Sequence, residues 1–193
     1  MPPSDLPPRD LLVRCATRLF ALRGYAAVGV QEIALAAGVT KPTLYHHFGN
    51  KLGLLQALLQ DQFAAIATRI AAAAAYRGQL AATLAAVAGA YFACADDQPE
   101  LYRLLLRLWF CPPDSEERGV STHLFAFQHA LLEQLFQDAA RDHGNMKGRH
   151  QAYAVTFLGT INTYIGLRLN GHPRLDHKQT ERIVHQFMHG ILS

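Results

Sequence analysis

The sequence predicts an all-α fold of about nine helices. Apolar residues recur three and four apart along nearly the whole chain, and no stretch alternates apolar with polar residues as a half-buried strand does. The punctuation between periodic stretches is short and of the helix-ending kind. It comprises Gly24, Gly38, Gly78, Asp96-Asp97-Gln98-Pro99, Cys111-Pro112-Pro113-Asp114-Ser115, His143-Gly144-Asn145 and Asn170-Gly171-His172-Pro173.

A first helix is expected over residues 8–22, where Leu11/Leu12, Cys15/Ala16 and Leu19/Phe20 share one face and Arg14 and Arg18 take the other. Gly24 stops it, and Tyr25 is placed to pack back over its end. A short second helix over 30–37 turns Val30, Ile33, Ala34 and Ala37 inward, and Gly38 ends it. The hydroxyl of Thr40 is suited to cap a third helix over 41–48, with Pro42 in its first turn. Asn50 reads as the cap of a fourth, over 51–75, carrying Leu54/Leu55, Leu58/Leu59, Phe63, Ile66 and Ile70. That helix is too long for a small N-terminal unit and is expected to join it to the remainder. Further helices are expected near 79–95, 99–110, 116–142, 148–170 and 176–191.

Composition agrees with a globular chain. Half of the 193 residues are apolar and 17% are charged, and no Ser/Gln-rich or Gly/Ser-rich tract is long enough to prevent collapse. The length accommodates a small domain joined to a larger one. The net charge of +3 lies entirely in residues 1–51, which hold six Lys/Arg against three Asp/Glu and leave twelve of each to the remainder. This balance leans only weakly toward a phosphate-bearing partner, since a solvated surface has it too. Cys15, Cys94 and Cys111 are widely spaced and odd in number, fitting neither a disulfide framework nor paired zinc ligands, and read as reduced, buried thiols. The first eight residues hold prolines and an acid where a signal peptide needs basic and then apolar residues, so a cytoplasmic location is expected. Residues 78–95 carry no charge and approach the roughly 20 residues of a membrane span. They are mostly alanine with Gln79, Thr83 and two glycines, so a buried core helix is expected and no membrane partner.

Two short helices joined by a tight glycine turn and braced by a preceding amphipathic helix form a helix-turn-helix when the second exposes polar residues. Here Ile33, Ala34, Ala37, Val39, Leu44 and Phe48 can close a small core, leaving Lys41, Thr43, Tyr45, His46 and His47 outside. Lys41 has the chemistry to donate to guanine O6/N7 or to a phosphate, and Thr43 to touch a base or a thymine methyl. Tyr45, His46 and His47 suit the sugar-phosphate backbone, and Gln31 at the start of the second helix suits a phosphate or a base.

The ordered run Phe20, Gly24-Tyr25, Ile33-Ala34, Ala37-Gly38-Val39-Thr40, Pro42-Thr43-Leu44-Tyr45, His47-Phe48 and Asn50-Lys51 closely resembles the DNA-binding domain of the TetR family. The match spans residues 9–54. The resemblance implies an all-α homodimeric repressor that reads a palindromic double-stranded operator and releases it on binding a small molecule. It implies a helix-turn-helix domain over 1–53 and a larger helical ligand-binding and dimerisation domain over 54–193. By the same resemblance Thr40, Lys41, Pro42 and Thr43 begin the recognition helix. Tyr45 and His47 take backbone-contacting positions, and Lys51 takes that of a phosphate-binding lysine at the head of the fourth helix. The chain departs from the family at Val28-Gly29, where two hydroxyl residues are usual, so a side-chain cap is missing. It departs again at Lys51-Leu52-Gly53, where an acid usually follows the lysine; Gly53 lowers helix propensity by roughly 1 kcal/mol and predicts a loose first turn.

The remainder offers lining for a cavity in Tyr91, Phe92, Tyr102, Leu105, Trp109, Phe110, Phe125, Phe127, Tyr153 and Phe157, which points to an apolar or aromatic ligand. The alternative for each is ordinary core packing. His129, with Arg103, Arg107, His123 and Gln128, is placed to orient a polar group there. The last two helices carry apolar stripes, Leu158, Ile161, Ile165 and Leu169 on one and Ile183, Phe187 and Ile191 on the other, expected to form the dimer interface. Two recognition helices must reach major grooves about 34 Å apart, which calls for a dimer.

His185 and His189 lie four apart and could ligate a metal, but no third ligand accompanies them, and solvated histidines near a helix end are the expectation. There is no Gly-rich phosphate loop, HExxH or Gly-x-Ser-x-Gly elbow, and neither catalysis nor a cofactor is called for. Two other classes fit the C-terminal part: an enzyme or carrier using the helical cavity, and a DNA-binding assembly protein with no inducer.

Overall fold

The computed structural model describes residues 6–190, the side chain of Asn145 apart. Among these residues there are nine α-helices, a short 3-10 turn at Gly144–Met146 and no strand. The helices are α1 Pro8–Arg23, α2 Val30–Ala36, α3 Lys41–Phe48, α4 Lys51–Ala73, α5 Leu80–Asp97, α6 Pro99–Trp109, α7 Glu116–Ala139, α8 His150–Leu169 and α9 His177–His189. Two compact units result. One comprises Met1–Ala64 with Glu100–Thr122, the other Ala65–Pro99 with His123–Ser193.

In the first unit α1, α2 and α3 pack against one another. Proline occupies the first turn of α1, where no N–H is missed, and buried Leu12, Ala16 and Phe20 mark its inner face. Gly24, at φ 83°, lets the chain leave α1 and fold Tyr25 back so that its ring lies 5.2 Å from that of Phe20. Ile33, Ala34 and Leu44 complete the centre with no exposure, and each large side chain buried there contributes roughly 1.5–3 kcal/mol. The last carbonyls of α1 have no partner within the helix. Arg107 of α6 supplies one, donating from Nε to Ala21 O at 2.7 Å and from its terminal nitrogen to Leu22 O at 3.0 Å. Arg107 is thus occupied in capping α1 rather than in orienting a ligand. Arg118 donates to Trp109 O at 2.9 Å and ties the α6–α7 connection.

In the second unit α5 packs on α8 and α9. α5 has the length and apolarity of a membrane span, yet nine of its residues are buried in this packing. It runs two residues past the expected end, to Asp97, because the acids there are neutralised. Arg69 binds Asp97 at 2.8 Å, while Arg168 and Arg174 bind the two oxygens of the mostly buried Asp96 at 2.9 and 2.7 Å. α7 stops three residues early, at Ala139, and the chain passes through the 3-10 turn and Gly148, at φ 76°, before α8 begins. A capping box starts α9: Asp176 accepts from Gln179 N at 2.7 Å, and Asp176 N donates to Gln179 Oε1 at 2.9 Å. Phe136, Tyr153, Phe157 and Phe187 form an aromatic cluster with ring centroids 5.0–6.3 Å apart.

The stripe of α8 expected to meet a second subunit faces inward instead. Ile161 and Ile165 have no exposure, and Leu158 and, on α9, Ile183 are also buried. Side chains already withdrawn from water have no area left to give a partner, so these four are core and not interface. Leu169 and Phe187 are half-buried, and Ile191 lies outside the described residues. The face of α8 open to solvent carries Ala152, Val155, Thr156, Gly159, Thr163 and Leu167. Of the three thiols only Cys94 is buried, while Cys15 and Cys111 are half-buried.

Candidate nucleic-acid interface

The turn between α2 and α3 is closed by Gly38, at φ 67°, with Gly38 N donating to Leu35 O at 3.1 Å and Val39 N to Ala34 O at 3.0 Å. The chain then extends through Thr40, whose Oγ1 accepts from Thr43 N at 3.3 Å and lies 2.8 Å from Thr43 Oγ1. This cap sets where α3 begins, and buried Leu44 sets its rotation. At 100° per residue, Pro42 and His46 fall opposite Leu44, with Thr43 and Tyr45 on the flanks. Lys41, Pro42, His46 and His47 are exposed, Tyr45 is 42% exposed and Thr43 half-buried. The Lys41 ammonium stands 5.7 Å from the ring of Tyr45, one turn on. Gln31, in the first turn of α2, is exposed as well. Glu32, the acid of α2, is neutralised by an ion pair with Arg23. The surface around α3 therefore offers donors and a cation with no unpaired carboxylate on α2 or α3, an arrangement suited to phosphates and base edges.

Lys51 has other partners. Its ammonium donates to Tyr25 O at 3.1 Å and Val28 O at 3.2 Å and sits 4.1 Å above the Tyr25 ring. Two of its three donors thus hold the α1–α2 connection, so its first task is to brace the domain rather than to reach a phosphate. The departures at Val28-Gly29 make physical sense beside it. Val28 is buried as an apolar plug, Gly29 precedes α2 without a side-chain cap, and Lys51 secures the connection from across the domain.

The first turn of α4 is not loose. Asn50 Oδ1 accepts from Gly53 N at 2.7 Å, and a Cβ on Gly53 would lie 2.1 Å from Phe48 O. Glycine is required there by the close passage of the α3 backbone.

The expected ligand-site residues divide by environment. Tyr91, Phe92, Phe125 and Phe157 are buried in the second unit, and Tyr102 and Leu105 in the first. Trp109, His129 and Tyr153 are half-buried, while Phe127 is exposed and Phe110 is 81% exposed at the end of α6. Burial lowers the pKa of His129, favouring the neutral imidazole. Tyr91 has no exposure, its phenol makes no hydrogen bond within the protein, and burial raises its pKa. The second unit holds a cavity of about 280 Å³ where α5 and α8 begin and α7 and α9 end. Tyr153 lines it with Leu80, Leu84, Phe136, Met146, Phe187 and Met188, and His143 and His189 line it too. Tyr153 is the expected ligand residue found there. Most of the other lining residues went unrecognised because they come from four helix ends and the α7–α8 connection, with no sequence pattern in common. A second cavity of about 270 Å³ includes Phe92 beside the Asp96–Arg174 pair. His185 and His189 stack with ring centroids 4.5 Å apart, and the described residues contain no group of three or more potential metal ligands.

Residues 12–58 match the family model described as bacterial regulatory proteins, tetR family. Over 185 residues the chain is 29% identical to the HTH-type transcriptional activator FasR of Mycolicibacterium smegmatis, covering 96% of this chain and 83% of that protein. It is 42% identical over 53 residues to the HTH-type transcriptional repressor KstR2 of the same organism, a match covering 28% of this chain and 26% of the repressor. Among solved structures, FadR of Bacillus subtilis in complex with stearoyl-CoA superposes with a TM-score of 0.77 at 19% identity, over 94% of this chain and 98% of that one. A Clostridium perfringens fatty acid metabolism regulator superposes with a TM-score of 0.81 at 15% identity, over 95% and 99%.

Proposed function

We propose, from the match of residues 12–58 to the tetR family model and the similarity to FasR along nearly the whole chain, that the protein is a TetR-family repressor that binds a palindromic operator as a homodimer and leaves it when a small apolar ligand binds. One observation carries the DNA-binding half: the capped, exposed first turn of α3, with Lys41, Pro42 and Thr43 above a buried Leu44. In this reading the turn enters the major groove, Lys41 and Thr43 touch base edges or phosphate, and Gln31, Tyr45, His46 and His47 hold the backbone. Thr40 serves as the cap that orients them. Residues 1–53 act as the DNA-binding domain and 54–193 as the sensing and dimerising domain of a cytoplasmic protein.

Dimerisation falls to the solvent-facing sides of α8 and α9. Small Ala152 and Gly159 on α8 permit close helix approach, and the exposed Val155 and Leu167 beside them offer apolar surface. An apolar ligand is supported by the second unit's cavity and by relatives named for such ligands, FadR with stearoyl-CoA and the ketosteroid regulator KstR2 of Mycobacterium tuberculosis. The ligand acts by binding the DNA-free state more tightly. α4 is the mechanical link, since it is one continuous helix with residues in both units.

A second reading, transcriptional activation, is favoured by the FasR match over nearly the whole chain. The test is titration of the purified protein with the DNA upstream of its own gene at several salt concentrations, against unrelated DNA, alongside Lys41→Ala. Specific binding that weakens linearly with log salt is expected, with a loss of about tenfold or more in the variant. Equal affinity for unrelated DNA would sink specific regulation. Transcription from that promoter in vitro then separates repression from activation.

A further inference from the structure

We propose that the rim of the cavity at the ends of α5, α7, α8 and α9 binds a soft monovalent metal ion, copper(I) or silver(I), through His143, Met146, Met188 and His189. The inference goes beyond the operator-binding reading and stands without it. All four side chains line the same cavity of about 280 Å³. They reach it as two pairs from separate parts of the chain. His143 precedes and Met146 ends the 3-10 turn that follows α7, while Met188 and His189 close α9. The chain has three methionines, the first of them Met1, so both internal ones face this space. A methionine placed only to fill apolar volume belongs in a closed core. Met188 is instead 37% exposed and shares the rim with two exposed imidazoles.

The donors are available and their chemistry selects the ion. No side-chain hydrogen bond or ion pair engages His143 or His189 among the described residues. The ring of His189 stacks on that of His185, with centroids 4.5 Å apart, which steadies it. Met188 and His189 lie in the last turn of α9, where the helix end favours a cation. Thioether sulfur with neutral imidazole suits copper(I), whereas carboxylate, carbonyl and water suit magnesium, calcium and manganese. No Asp or Glu lines this cavity, and among the described residues no three of His, Cys, Asp and Glu gather to hold a metal. A zinc or hard dication therefore lacks its donor set. Methionine sulfur stands outside that set and completes one only for a soft ion. Leu80, Leu84, Phe136 and Phe187 line the same space as an apolar wall that restricts water around the ion and favours the lower charge. An ion held there ties the α7–α8 connection to the end of α9 and stabilises the folded second unit.

The half-buried thiols of Cys15 and Cys111 also attract soft ions. The test therefore uses the full-length protein carrying Cys15→Ser and Cys111→Ser, titrated anaerobically with copper(I) against a chromophoric copper(I) chelator, and with silver(I) in calorimetry. One tightly held ion per chain is expected, with a raised thermal unfolding midpoint. Met146→Leu and Met188→Leu keep volume and apolarity while removing the sulfur. Each should weaken the ion by about tenfold or more, as should His143→Gln and His189→Gln. His177→Gln, at the other end of α9, should bind as the parent does, and excess zinc(II) should not displace the ion. Circular dichroism identifies any variant that loses its fold, in which case Met188→Leu and His189→Gln, at exposed positions, decide. Failure to hold an ion against the chelator, full affinity in any of the four folded ligand variants, an equal loss in His177→Gln, or displacement by zinc overturns the proposal.

Discussion

Gly53 lies in the first turn of α4, where propensity alone counts it as a defect of roughly 1 kcal/mol. The Phe48 carbonyl, 2.1 Å from the position a Cβ would take, reverses that account. Gly53→Ala is therefore expected to destabilise the protein by about 2 kcal/mol or more despite its better propensity, read as a lowered midpoint in chemical denaturation. An unchanged or raised midpoint would show that the corner between α3 and α4 relaxes freely. Tyr91 is the opposite case. Its hydroxyl has no exposure and no hydrogen-bond partner in the protein, so folding strips it of water without compensation. Tyr91→Phe keeps the ring and should raise stability by about 1 kcal/mol in the same measurement. A loss of stability would mean that the hydroxyl is satisfied in solution.

Among elements, the α1–α2 connection lacks the two hydroxyl residues usual in the family it resembles and is held from outside by Lys51. Lys51→Met keeps the aliphatic stem but removes the two donors and the charge above Tyr25. It should cost about 1–2 kcal/mol of stability, seen as an earlier unfolding transition. Lys41→Ala, on an exposed turn, should leave that transition unchanged and act on operator affinity alone. If Lys51→Met left stability intact and weakened only DNA binding, the phosphate role implied by resemblance would be restored. The boundaries of α1 to α3 were legible to within a residue because proline at a first turn, Thr40 as a cap, and Gly24 and Gly38 as stops act on their immediate neighbours. The bracing role of Lys51 was not, because its acceptors lie 26 and 23 residues back in the chain.

For the molecule as a whole, the open face of α8 bears on assembly. Val155 is 50% exposed there, between Ala152 and Gly159. Val155→Glu adds a charge that a close helix contact would have to desolvate, so it should shift the protein from dimer toward monomer in light scattering while leaving its helical content unchanged. A dimer of unaltered strength would place the interface elsewhere. The same variant should lose operator affinity, since one head alone cannot span two half-sites.

The all-α class, the order of the helices and the helix-turn-helix could be read from residue order because helical periodicity, caps and stops are properties of residues within four positions of one another. The exposed set on α3 followed too, since Leu44 alone orients so short a helix. The arrangements that escaped such reading join pieces distant in sequence: Arg107 capping α1, Lys51 bracing the α1–α2 connection, Asp96 held between Arg168 and Arg174, and a cavity assembled from four helix ends. The direction of α8 belongs with them. Leu158, Ile161 and Ile165 line one side, and Ala152, Val155 and Gly159 leave another side without charge, so the helix carries two faces fit for burial. Local pattern cannot rank them, and packing against α5 turns the bulkier face inward and leaves the small one to solvent.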